Sequence, residues 1–180
     1  MKRLTLLRHA KSGWDDPVQR DYDRPLNAKG HRGAALMGQY LARERLRFDH
    51  VIASPAVRVA ETLAELARGY GEGTTTHWEK RIYLASAVTL LDVVHGLPDT
   101  AQSVLMVGHN PGLEDLVLTL VPDKSDDALR ARVEEKFPTA SIAELALEVA
   151  HWAAVAPQAA RLTRFVRPRD LDPTLGPDAD

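Results

Sequence analysis

Arg8, His9, Arg58 and His109 are the side chains in this sequence whose types and positions point to chemistry. The apolar run Leu4-Thr5-Leu6-Leu7 ends abruptly in Arg8-His9-Ala10-Lys11-Ser12. A second apolar run, Val51-Ile52-Ala53, is followed at once by Ser54-Pro55 and, one helical turn on, by Arg58. A third, Ser103-Val104-Leu105-Met106-Val107, ends in Gly108-His109-Asn110-Pro111-Gly112. Arginine presents a planar fork that matches phosphate oxygens two at a time. A neutral imidazole is a nucleophile, and flanking guanidinium groups help to keep it unprotonated by like-charge repulsion. Attack on phosphorus would give a phosphorylated imidazole that water then hydrolyses, with the second histidine stabilising charge on the transferring oxygens. That scheme requires no metal. Taken singly, Arg58 also fits a surface salt bridge with Glu61 or Glu65, and His109 a strand-end histidine bonded to backbone.

The elements must bring these groups together. Strand and helix signals alternate along the chain, which predicts an α/β fold: a three-layer α/β/α sandwich with a mostly parallel central sheet. A parallel sheet places the carboxyl ends of its strands on one side, where ligands bind. The first strand is expected over Arg3–Leu7 and the clearest central strand over Ser103–Val107, an uninterrupted apolar run. A helix is predicted from Ala28 to Arg45, capped by Asn27, with Ala34, Met37, Tyr40 and Leu41 inward. Ser54 reads as the cap of a helix with Pro55 in its first turn, running to Arg68 and stopped by Gly69 and Gly71, with Ala60, Leu63, Leu66 and Ala67 inward. Asn110-Pro111 repeats that grammar for a helix ending near Leu120. Both helix starts would add N–H groups and positive partial charge to the site.

Elsewhere, Ala87–Gly96 reads as a helix with Val88, Leu91 and Val94 or His95 inward, and 123–137 as a helix or lid-like excursion. Ser141–Glu148 alternates as a strand, and Arg161–Val166 as a last strand antiparallel to its neighbour. Trp78–Leu84 has no clear assignment. The expected organisation is one domain over residues 1–167, with a flexible Pro- and Asp-rich tail over 168–180.

Composition bounds the function. The chain has 180 residues, enough for one real core, and is 44% hydrophobic and 27% charged, as a globular protein is. A net charge of −2 gives no reason to expect nucleic-acid or membrane attraction. With no cysteine there is no disulfide framework, thiolate metal site or Cys nucleophile. Neither a signal peptide nor a membrane span is apparent, and a cytoplasmic location is expected. No HExxH or His-x-His pattern suggests a metalloenzyme, Gly69–Gly73 lacks the Gly-Lys-Ser/Thr ending of a phosphate loop, and His31, His50, His77, His95 and His151 show no ligand-like spacing. No cofactor is expected.

Four motifs in register resemble the histidine phosphatase superfamily, the phosphoglycerate-mutase-like fold: Leu7-Arg8-His9-Ala10-Lys11-Ser12; Asp23-Arg24-Pro25-Leu26-Asn27-x-x-Gly30; Ser54-Pro55-x-x-Arg58-x-x-x-Thr62; and Val107-Gly108-His109-Asn110-Pro111-Gly112. The short chain, Ala-Lys-Ser after the histidine and the closing Arg167-Pro168-Arg169-Asp170-Leu171 are most similar to the SixA-type phosphohistidine phosphatase branch. The resemblance implies that His9 is the nucleophile, that Arg8, Arg58 and His109 form the phosphate pocket, and that Ser12, Lys11 and Asn110 contact substrate; Lys11 also fits a solvated loop lysine.

Larger members of that superfamily supply an acidic proton donor from an insertion that is short here. Glu79 is the candidate general acid, with Asp15, Asp16 and Asp21 as rivals. An alkoxide leaving group needs a proton donor, whereas an imidazole leaving phosphohistidine can carry its own, its pKa being about 6.5. A site without a strong acid therefore suits N–P bonds. The expected partner is a phosphorylated protein or a small phosphorylated substrate. The alternatives are a small-molecule phosphoesterase and a phosphate-binding interaction domain with little turnover. A mutase, which must shelter its phosphoenzyme from water, lacks material for a lid.

Overall fold

A computed structural model describes residues 1–13, 20–73 and 75–177. They form the expected three-layer α/β/α sandwich. The strands are β1 (Lys2–Arg8), β2 (His50–Ala53), β3 (Thr76–Trp78), β4 (Ser103–Gly108), β5 (Ile142–Leu147) and β6 (Ala160–Val166). The helices are α1 (Ala28–Arg43), α2 (Val57–Tyr70), α3 (Ala87–His95), α4 (Gly112–Leu120), α5 (Ala128–Glu135) and α6 (Pro168–Leu171). The sheet order is β3-β2-β4-β1-β5-β6. The first four of these strands run parallel, and β5 is antiparallel to both of its neighbours. In register, Arg8 lies beside Gly108 and Ala53 beside Val107, so the ends of β1, β2 and β4 lie level along one edge.

Each face of the sheet has its own core. One gathers Leu4, Leu6, Val104 and Met106 with α3, α4 and Phe137; the other gathers Leu7, Val51 and Leu105 with Met37, Leu41, Val59 and Leu66 of α1 and α2. Because both faces are covered, β5 is buried along all six residues, where alternation had suggested a half-exposed strand. The edge strand β6 does alternate. Among the described residues no helix is long and apolar enough to cross a membrane.

Several elements differ from expectation in ways that matter. Trp78–Leu84, without assignment from sequence, completes β3 and then makes a 3-10 turn over Lys80–Ile82. In α3 the buried residues are Leu90, Val93 and Val94, while Val88 is 73% exposed: the helix is rotated from the predicted face. In α2 the buried residues are Arg58, Val59, Thr62 and Leu66, because the inward stripe includes polar residues that an apolar-periodicity reading passes over. Residues 168–177, read as a loose tail, instead form α6 and a 3-10 turn (Pro173–Leu175). A reciprocal cap between Arg167 and Asp170 starts α6, with Pro168 in its first turn. Residues 178–180 lie outside the described residues.

Gly71 ends α2 in the left-handed conformation, as glycine permits, but Gly69 lies inside that helix. Its role is close approach. A Cβ on Gly69 would sit 2.0 Å from the Ala35 carbonyl oxygen of α1, and one on Gly38 2.1 Å from that of Leu66. The two glycines let α1 and α2 pack backbone to backbone behind the strand ends. Gly69→Ala is expected to destabilise the protein by about 3 kcal/mol, as overpacking against immovable backbone outweighs alanine's better helix propensity; urea unfolding measures it.

Candidate active site

The level strand ends deliver their cargo to one pocket of about 520 Å³, lined by Arg8, His9, Lys11, Ser12, Asp21, Arg58, His109 and Asn110 among others. His9 and His109 are both buried, with ring centroids 5.3 Å apart. The His9 Nδ1–H donates to the Ala10 carbonyl at 2.7 Å, an assignment that leaves the lone pair on Nε2. Arg58 is 2% exposed and sits between the elements. Its Nη1 donates to the Asp21 carbonyl (2.7 Å), and its Nη2 to Asp21 Oδ2 (3.1 Å) and to His109 Nδ1 (3.3 Å). With Nδ1 accepting, His109 carries its proton on Nε2 and donates to Ser54 Oγ at 2.8 Å.

Electrostatics hold both rings neutral. Burial, then the neighbouring His109, Arg8 and Arg58, pushes His9 down to about 3. Burial and the adjacent Arg58 push His109 down to about 3. Both groups enter the fold uncharged and with intact lone pairs at neutral pH.

The supporting residues are largely ones that sequence patterns assign to other tasks. Ser54 does not cap α2, which starts at Val57; its buried hydroxyl accepts from His109 and so orients the ring. Thr62 Oγ1 donates to the Arg58 carbonyl (2.6 Å) and accepts from the Ala10 amide (2.9 Å), tying the His9 loop to the Arg58 helix. Thr62 belongs to the quoted motif, and its spacing of one turn from Arg58 was the available signal. The Phe137 carbonyl accepts from Arg8 Nη1 (3.0 Å) and Asn110 Nδ2 (2.8 Å), and the Ala140 amide donates to the Arg8 and His9 carbonyls. The segment 137–140, for which no local signal exists, is thus a wall of the site.

Asn110 lines the pocket, but its amide is committed to backbone: Nδ2 to Phe137 and Oδ1 from the Glu114 amide (3.3 Å). Lys11 and Ser12 line the pocket on a loop that meets the start of α1, where the Asn27 amide donates to the Lys11 carbonyl. Gly30 lets that contact form, since a Cβ there would lie 2.0 Å from the same oxygen.

Glu79 does not reach the pocket. Its carboxylate accepts from the backbone and guanidinium of Arg81, which hold it below its usual range. Among the described residues, Asp21 is the carboxylate that lines the pocket. Partial burial works to raise it, but the Tyr83 hydroxyl (2.6 Å), Arg58 and Arg24 outweigh that and hold it ionised. The Tyr83 ring stacks edge-on against His109, 5.4 Å between centroids. Asp15 and Asp16 lie outside the described residues.

Residues 4–82 match the sequence profile of the histidine phosphatase superfamily (branch 1). An uncharacterised protein of Mycobacterium tuberculosis is 37% identical over 164 residues, covering 91% of this chain and all of that protein. A structure from Agrobacterium tumefaciens, provisionally named a phosphohistidine phosphatase SixA, is 32% identical with a TM-score of 0.76, covering 93% of this chain and 98% of that one. A second, similarly named structure from Nakamurella multipartitia is 30% identical with a TM-score of 0.79, covering 93% and 96%. The strand-end histidines and arginines therefore belong to a phosphatase, and the chain belongs to the histidine phosphatase superfamily. Within it, the chain falls in the SixA-type branch.

Two predictions follow from the geometry. Ser54→Ala leaves a buried His109 N–H without its acceptor and is expected to cost about 1–3 kcal/mol of stability and to lower phosphatase kcat, read by thermal unfolding and turnover together. The histidine shifts also set a pH dependence. The unfolded chain takes up protons near its ordinary histidine pKa of about 6.5, while folded His9 and His109 stay neutral down to about 3. Stability is therefore retained above about 6.5 and falls progressively as pH drops through that window. The fall should be shallower in His109→Gln, measured by urea unfolding between pH 7 and 4.

Proposed function

We propose that the protein is a metal-independent phosphohistidine phosphatase that uses His9 as nucleophile and acts on phosphohistidine of a protein. The supporting observation is a nucleophile without a matching acid. His9 is neutral with its lone pair on Nε2, while Asp21, the carboxylate at the pocket among the described residues, is ionised in its bonds to Arg58 and Tyr83. Among the described residues no donor is poised to protonate the alkoxide that an ordinary phosphoester would release. A phosphorylated imidazole protonated on its other nitrogen leaves as neutral imidazole. The names of the two SixA structures that are about a third identical agree with this substrate class.

In the reaction, His9 Nε2 forms a bond to phosphorus as the bond to the substrate nitrogen breaks. Arg8 and Arg58 carry the charge of the phosphoryl oxygens. The incoming dianion raises the proton affinity of His109, which takes a proton from solvent on Nδ1, turns from acceptor of Arg58 into donor to the phosphoryl group, and returns that proton to solvent when phosphate leaves. Water then attacks phosphorus, gives up a proton to bulk, and restores neutral His9 and inorganic phosphate.

The test is turnover, with EDTA present, of a phosphohistidine peptide, p-nitrophenyl phosphate and a sugar phosphate, by the native chain and by His9→Ala. The expected result is fastest hydrolysis of the N–P bond, a drop of about 10³-fold or more in the variant, and label from a phosphorus-labelled substrate on His9 after rapid quenching. Faster hydrolysis of the sugar phosphate would move the substrate to small phosphoesters. Turnover that survives His9→Ala would overturn the mechanism.

A further inference from the structure

We propose that the outer wall of the pocket, built by Lys136 and Arg169, is a subsite for a further negative charge on the substrate, so that the enzyme prefers phosphohistidine flanked by acidic groups. This rests on the phosphohistidine reading and names what surrounds the phosphoryl group. A cavity of about 520 Å³ is several times what a phosphoryl group fills, so a leaving segment enters with it.

The wall is polarised against the composition of the chain. The protein carries a net charge of −2, and residues 167–177 contain two arginines and two aspartates. The fold sorts them. Asp170 is turned into bonds with Arg167 and Arg132, and Asp172 into bonds with the Thr174 amide and hydroxyl. Neither aspartate lines the pocket, whereas Arg167 and Arg169 do. Arg167 is matched by Asp170; Arg169 has a buried Nε with no hydrogen-bond partner. Lys29 Nζ donates to the Gly176 carbonyl at 2.5 Å, which anchors the end of this segment to α1. Lys136, at the end of α5, is an exposed cation lining the same pocket. Lys136 and Arg169 make no hydrogen bond to Arg8, His9, Arg58 or His109 and have no task in the transfer itself. A carboxylate or a second phosphate beside the phosphohistidine would meet the Lys136 ammonium and the Arg169 guanidinium.

The test measures binding to the His9→Ala protein, which needs no turnover, alongside kcat/KM of the native chain. The probes are three phosphohistidine peptides of one length, flanked by Glu, by Gln or by phosphoserine. The Glu or phosphoserine peptide is expected to bind and react about five- to tenfold better than the Gln peptide, and to lose that advantage in high salt. The double variant Lys136→Gln/Arg169→Gln should erase the preference while turning over the Gln peptide as before, and Arg169→Lys should restore part of it. A stronger effect of Glu identifies carboxylates as the natural flank; a stronger effect of phosphoserine identifies a second phosphate. Equal binding of all three peptides, or a preference that survives the double variant, overturns the subsite. Preferential binding without N–P turnover would leave the subsite standing and overturn the phosphohistidine reading alone.

Discussion

Burial of the Arg58 guanidinium is the constraint on which the site depends. A cation taken out of water needs acceptors on its hydrogens or it destabilises the fold. The groups that meet this need come from separate parts of the chain: Asp21 from the loop before α1, and His109 from the end of β4. Through the Thr62 hydroxyl, the same helical turn also grips the backbone just after His9. Satisfying the two terminal nitrogens of one arginine therefore sets the distance between two histidines that are about 100 residues apart in sequence. The cost is electrostatic, and it is borne by the rings, whose protonated forms are disfavoured first by burial and then by the cations beside them. For a nucleophile that cost is useful, because the neutral ring is the reactive one.

The fold and the four central side chains were legible because they follow local rules. Apolar runs bounded by turn residues mark strands, and a parallel sheet brings the carboxyl ends of its strands to one edge. Arg8, His9, Arg58 and His109 sit where those runs end. What was illegible depends on tertiary contact. Ser54 followed by proline has the local grammar of a helix cap, and only the position of His109 beside it reveals a ring-orienting acceptor. Glu79 was a reasonable acid by its place in the chain, yet its neighbour Arg81 captures it. Asp21, a rival of equal local standing, reaches the pocket because Arg58 and Tyr83 draw it there. The face of α2 was misjudged for the same reason: its inward stripe carries Arg58 and Thr62, which a hydropathy pattern places outside.

The engagement of Asp21 bears on what the pocket can do. A carboxyl group serves as general acid only if it holds a proton near working pH, which usually takes an apolar surrounding or a like charge. Asp21 has the opposite setting, with two arginines and a phenol donating to it. Asp21 therefore positions Arg58, and in the proposed reaction protonation is left to the leaving group. Substrates whose leaving atom has its own accessible proton then gain most from the site, and that property separates imidazole nitrogen from alkoxide oxygen.

The C-terminal segment shows how little composition says about a surface. Proline, aspartate and arginine in alternation have the signature of a chain with nothing to bury. Here Pro168 and Pro173 start short helical turns, Asp170 closes a reciprocal cap, and a lysine from α1 bonds the Gly176 carbonyl. Within 167–177, Asp170 and Asp172 are both used internally, and Arg169 is left lining the pocket. Residues 167–177, neutral by count, present a cation to the pocket once hydrogen bonding has decided which charges are consumed.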